Sequence, residues 1–128
     1  MNKETRRFLI ERAKINAPVA YGIIMQQLEL DNNIPEHRDI LSHELAEISR
    51  LEQKKGRPML SSMAVYADKK YTGPGFYHLA EELGHGTAQE LAGRNFAKVM
   101  QTRCFTFWSN ESNYSKYIND IDLTDEQI

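Results

Sequence analysis

Gly56-Arg57-Pro58-Met59-Leu60-Ser61-Ser62-Met63-Ala64-Val65-Tyr66, continued by Ala67-Asp68-Lys69-Lys70-Tyr71-Thr72-Gly73-Pro74-Gly75-Phe76-Tyr77, holds two of the chain's four prolines and three of its seven glycines. Met59, Ser61, Met63 and Val65 alternate with Leu60, Ser62, Ala64 and Tyr66. That period of two, with apolar residues on both faces, predicts one strand covered on both sides. The polar, Gly/Pro-punctuated stretch 68–75 then predicts a tight loop and a return. Helix-like segments flank the whole unit.

Upstream, residues 3–15 carry Phe8, Leu9, Arg12 and Ile15 at helical spacing, with Asn2 or Thr5 as cap. Asn16-Ala17-Pro18 ends that helix, because the residue before a proline avoids helical dihedrals. A second helix is expected over 19–28, burying Tyr21, Ile24, Met25 and Leu28, and a turn over 31–35. The third, from Pro35 or Glu36 to Lys54, places Leu41, Leu45, Ile48 and Leu51 on one face, and Gly56 stops it. Downstream, Phe76, Leu79, Ala80 and Leu83 predict a short helix ending at Gly84. A long helix is expected over 87–108, and the last twenty residues read as irregular or weakly helical.

This order predicts an α+β domain, mostly α, with a winged-helix-like N-terminal part and an additional C-terminal helix. Segments 19–28 and 36–54 form the helix-turn-helix and 68–77 the wing, with Phe76-Tyr77 as a second strand. Residues 1–108 are expected to be one domain and 109–128 an acidic, flexible tail.

The chain has 128 residues, 41% hydrophobic and 27% charged, the balance of an ordinary globular domain rather than a disordered chain. No apolar run approaches the ~20 residues a membrane span requires. The charged start Met1-Asn2-Lys3-Glu4-Thr5-Arg6-Arg7 leads into no signal-like apolar core, so a cytoplasmic location is expected. Cys104, the one cysteine, excludes an intrachain disulfide and a cysteine zinc site. Net charge is -2, with the negative excess in the tail at Glu111, Asp120, Asp122, Asp125 and Glu126. The remaining body is mildly basic, which is compatible with nucleic-acid binding.

Two resemblances follow from these motifs. Tyr21-Gly22 and the helix after it resemble the winged-helix half of alkylguanine-DNA alkyltransferases over residues 18–55. Ile34-Pro35-Glu36-His37-Arg38 echoes that family's Pro-Cys-His-Arg run, but Glu36 stands where the reactive cysteine would be and the run precedes the third helix. Alkyl transfer is therefore rejected. Ile48-Ser49-Arg50-Leu51-Glu52, Gly56-Arg57-Pro58-Met59-Leu60-Ser61, Pro74-Gly75-Phe76-Tyr77, Leu79-Ala80, Leu83-Gly84 and Phe107-Trp108 are together similar to a widespread family of small uncharacterised bacterial proteins. That resemblance covers residues 18–108 and implies no activity.

Three function classes remain. A winged-helix DNA-binding module would use Arg38, Arg50 and Lys54 of the third helix, Arg57, and Lys69 and Lys70 of the wing. Against it, Glu36, Asp39, Glu44, Glu47 and Glu52 share the helix, and phosphate neutralisation dominates DNA affinity. A protein–protein or self-association module would use Phe105, Phe107, Trp108, Tyr114 and Tyr117. A small hydrolase-like enzyme would need Arg57, Ser61, His78 and Glu82 to converge. Arg57 with the Gly-Arg-Pro and Gly-Pro-Gly turns suggests an anion cradle, against the simpler reading that it pairs Glu52 or Asp68. His78, Glu82 and His85 have no recognised metal signature and read as exposed polar residues. No catalytic residue, metal or cofactor is assigned.

Overall fold

In the computed structural model, which describes residues 1–68 and 71–121, the Asn2 side chain accepts the Thr5 N–H at 2.8 Å and starts α1, Lys3–Lys14. That bond satisfies one of the orphan amides of the first turn. Leu9, Ile10 and Ala13 form its buried stripe. Asn16 adopts a left-handed conformation (φ 53°) and Arg12 Nε donates to Ala17 O at 2.7 Å, so the helix ends where Pro18 requires.

The next segment is not wholly helical. Val19–Ala20 form a short strand, β1, and α2 (Tyr21–Gln27) starts directly from it. α3, Pro35–Lys54, begins on a proline, whose missing N–H costs nothing at a first turn. It buries Leu41, Leu45, Ile48 and Leu51 as their spacing predicts, and Gly56 (φ 75°) follows its end.

The expected long strand is mostly a 3-10 turn. Leu60–Met63 wind into it, and β2 is only Ala64–Val65. Two serines explain the difference. Ser62 N and Ser62 Oγ both bond Met59 O, at 3.2 and 2.8 Å, while Ser61 N donates to Ser49 Oγ at 3.0 Å. Such local bonds compete with a ladder. All seven residues from Met59 to Val65 are buried, so alternation carried no facial information.

β2 pairs in parallel with β1, Val19 opposite Ala64 and Ala20 opposite Val65. Phe76 and Tyr77, expected as the wing's second strand, lie instead in α4, Pro74–Glu82. Lys69 and Lys70, the wing's cations, lie outside the described residues. The chain is α+β and mostly α.

The helix expected over 87–108 is two. α5 spans Ala88–Gly93, capped by Thr87 Oγ1 accepting Glu90 N–H at 3.1 Å. Asn95 turns left-handed (φ 51°), and α6 follows over Phe96–Trp108. Beyond Trp108 the described residues include a further helix. α7 spans Glu111–Tyr117, and Ile118 is buried in the core. Asp122, Asp125 and Glu126 of the acidic tail lie outside the described residues.

Two apolar clusters hold these elements. The larger joins Leu9, Ile10, Ile24, Met25, Leu41, Ile48, Leu60, Met63 and Trp108 among others, with the 3-10 turn between α1, α3 and α6. The second gathers Met59, Phe76, Leu79, Leu91, Phe96 and Met100 under α4, α5 and α6. Each fully buried Leu, Ile, Met or Phe contributes roughly 1.5–3 kcal/mol over the exposed state.

Candidate functional site

The Gly-Arg-Pro arginine is internal. Arg57 is buried, and its Nε donates to Glu52 Oε1 at 2.8 Å and its Nη2 to Oε2 at 3.1 Å. Its Nη1 reaches Asp120 Oδ2 at 2.8 Å and its Nη2 Asp120 O at 2.9 Å. Burial alone would lower the guanidinium's pKa, but the bonds and charges of Glu52 and Asp120 outweigh it and raise it. With its donors so engaged, Arg57 is not placed as a phosphate contact. The pairing with Glu52 is the simpler of the two readings its sequence allowed.

The other proposed nucleic-acid contacts do not form one patch. Arg50 is bound twice by Glu82, at 2.7 and 3.0 Å. Arg38 and Lys54 are exposed but stand at opposite ends of α3, about 24 Å apart at ~1.5 Å rise per residue. Lys69 and Lys70 are outside the described residues.

The aromatic end is largely an internal seam. Trp108 is buried, Phe107 meets it edge-on with centroids 4.9 Å apart, and Tyr117 stacks on Phe107 at 5.9 Å. Tyr117 also lies beneath Arg57, and the Tyr114 hydroxyl donates to Glu11. Of the five aromatics proposed for a partner, Phe105 alone is exposed, while Phe107, Tyr114 and Tyr117 are half-buried and Trp108 is buried.

The hydrolase residues do not assemble into a relay. Ser61 is buried, and its Oγ accepts from Ser49 Oγ at 2.7 Å. His78 is exposed on α4, and Glu82 is engaged by Arg50. His85 Nε2 lies 2.9 Å from Gln53 Oε1, and burial, then the nearby Arg103 charge, lowers its pKa. Among the described residues no group of three His, Cys, Asp or Glu side chains is arranged to hold a metal ion.

A different region has the shape of a site. A cleft of about 1250 Å³ opens between α2, the first half of α3, Tyr66 and Ala67, and α4 with the Gly73 before it. Met25, Leu41, Leu45, Phe76 and Leu79 give it an apolar floor. Tyr21, Tyr66, Ser42 and Arg38 supply polar groups around it. Ile23 and Tyr66, both exposed, stand on its rim.

The two tyrosines fix one wall. Gly73 N donates to Tyr21 Oη at 2.7 Å, tying the loop before α4 to the first residue of α2. Tyr21 and Tyr66 pack edge to face with centroids 5.5 Å apart. A Cβ on Gly73 would lie 3.2 Å from Tyr66 Oη, so glycine there permits the close approach. Burial chiefly raises the Tyr21 pKa, against the Gly73 N–H bond, so its phenol keeps its proton at neutral pH and can donate it.

Sequence reasoning singled out the Tyr21-Gly22 and Gly73-Pro74-Gly75 motifs but did not join them, because 52 residues separate the bonded pair. Among the described residues no helix is long and apolar enough to cross a membrane. Comparison of the chain with protein-family models, with curated proteins and with solved structures finds no match in any of the three.

Proposed function

We propose that the chain is a non-enzymatic protein-binding module that takes a partner's peptide segment in the cleft between α2, α3 and α4. The observation that carries this reading is the combination of size and lining. Small-ligand pockets run to ~300–1,000 Å³, and this cleft, at about 1250 Å³, exceeds them. An apolar floor with tyrosines and one arginine at the edge is the composition of a peptide groove: anchors below, orienting donors at the rim.

The test is selection of displayed peptides on the purified chain, followed by titration of the selected sequences. Tyr66→Ala removes a rim anchor, and Ser42→Trp fills the groove from an exposed position of α3. Each is expected to weaken binding at least about tenfold (~1.4 kcal/mol) while leaving the thermal midpoint in place. Selected peptides indifferent to both substitutions would remove the cleft as the site. Salt-sensitive retention of duplex DNA, lost in Arg38→Ala and Lys54→Ala, would favour the winged-helix DNA-binding reading instead.

A further inference from the structure

At the other end of α3 from the cleft, three cations are gathered inside the protein. The side chains of Arg6, Lys55 and Arg57 are 1%, 7% and 3% exposed. Glu52, fully buried, answers both guanidiniums, with Arg6 Nε at 2.9 Å from its Oε2 and Arg57 Nε at 2.8 Å from its Oε1. One carboxylate cannot balance three cations. Among the described residues the second counter-charge is Asp120, whose side chain is 36% exposed and which arrives from the C-terminal segment. Lys55 Nζ meets its Oδ1 at 3.1 Å and Arg57 Nη1 its Oδ2 at 2.8 Å.

The same donors also read the backbone of that segment. Arg6 Nη1 donates to Ile118 O at 2.6 Å and Arg6 Nη2 to Tyr117 O at 3.0 Å. Arg57 Nη2 donates to Asp120 O at 2.9 Å. Three carbonyls and one carboxylate of a short stretch are thus held by groups of α1, the end of α3 and the turn after it. α7 itself contributes no fully buried residue: Tyr114 and Tyr117 pack half-buried against the core, and Ile118 enters it. The segment is thus held by these polar contacts and by fewer buried apolar groups than α1 or α3 contribute, the character of a segment that opens locally at lower free energy than the body.

We propose that Arg6, Lys55 and Arg57 form a recognition site for an acidic peptide segment, occupied in cis by residues 117–120 as an internal ligand. Release of the 111–121 segment leaves two guanidiniums and an ammonium against the single carboxylate of Glu52. The ligand it fits is a peptide carboxylate flanked by free carbonyls, because an arginine fork and a lysine together recognise that geometry. Docking of the chain's own segment is then an autoinhibitory contact. It stands independently of the cleft.

The experiment uses the full chain and a labelled peptide copying residues 111–121. Asp120→Ala in the chain is expected to raise affinity for the peptide at least tenfold over the unsubstituted chain, and the gain should shrink as salt is added. Asp120→Asn, which keeps the side-chain size and loses the charge, serves where the alanine variant fails to fold. Hydrogen exchange supplies the second readout: amides of 111–121 should exchange faster than those of α1 and α3, and faster again in either variant. A peptide that binds neither variant, or a segment that exchanges only together with α1 and α3, would overturn the proposal.

Discussion

Glu52 shows how much a single side chain decides. It is a fully buried carboxylate between two buried arginines, and removing its charge leaves both guanidiniums facing each other inside the protein. Breaking a buried pair by deleting one partner costs about 3–5 kcal/mol, far more than a surface ion pair contributes. Glu52→Gln, nearly isosteric, is therefore expected to lower unfolding free energy by about that amount in urea titration. A loss under about 1 kcal/mol would mean that the arginines find other partners. Trp108 makes the opposite case. It is buried, yet among the described residues its indole N–H has no hydrogen-bond partner. Trp108→Phe keeps a ring beside Arg6 and Phe107 and removes the unpaired donor. It should cost clearly less than Trp108→Ala, for which about 3–5 kcal/mol is expected from the cavity. At this scale the sequence was partly readable. Glu52 and Arg57 are five residues apart and their pairing was foreseeable; Asp120, 63 residues from Arg57, was not.

Helices were legible wherever punctuation and periodicity agreed. α1 and α3 have caps or proline starts, a buried stripe and a marked end, and all of these are local features of the sequence. The 3-10 turn was not legible, because burial on every side erases the difference between a strand and a tight helix, and Ser49, which bonds Ser61, comes from another element. The break between α5 and α6 was missed for a related reason. Apolar residues run at helical spacing through it, and the left-handed Asn95 interrupts the backbone without interrupting the pattern. Two measurements test this account. Asn95→Gly should be neutral or slightly stabilising, whereas Asn95→Val should cost about 1–2 kcal/mol, since a β-branched residue tolerates a left-handed conformation poorly. Equal stability of the two variants would mean that the break relaxes to continuous helix. Thr87→Ala removes the α5 cap and should cost about 1 kcal/mol, measurable in the same urea titrations.

Over the whole molecule, the chain ends are tied together, and that coupling gives the protein a defined acid response. Arg7 reaches Asn119, Arg6 holds the carbonyls of residues 117 and 118, and Lys14 lies 3.5 Å from Glu111. None of this could be read from segments taken one at a time, because each contact joins residues about a hundred positions apart in the chain. Burial would raise the Asp120 pKa, but the bonds and charges of Arg57 and Lys55 outweigh it and hold it below the usual 3.8. The Arg50 hydrogen bond likewise holds Glu82 below 4.5. Both groups bind fewer protons folded than unfolded. Their stabilisation is complete above the ordinary carboxylate range and is lost as pH falls through their lowered values. Cys104 offers a probe of global unfolding from within the core. Burial pushes its thiol up to about 12, against a weak contact to Ser62, and its Sγ donates to Met59 O at 3.3 Å where α6 crosses the 3-10 turn. A thiol with that pKa is almost wholly protonated at pH 8, and the thiolate is the reactive form. Labelling of Cys104 by a thiol reagent at pH 8 should therefore be limited by global unfolding, slow in buffer and accelerated by urea along the unfolding limb. Glu52→Gln, which lowers global stability, should raise that labelling rate several-fold. Rapid labelling of the unsubstituted chain would show that α6 separates from the 3-10 turn without unfolding the rest.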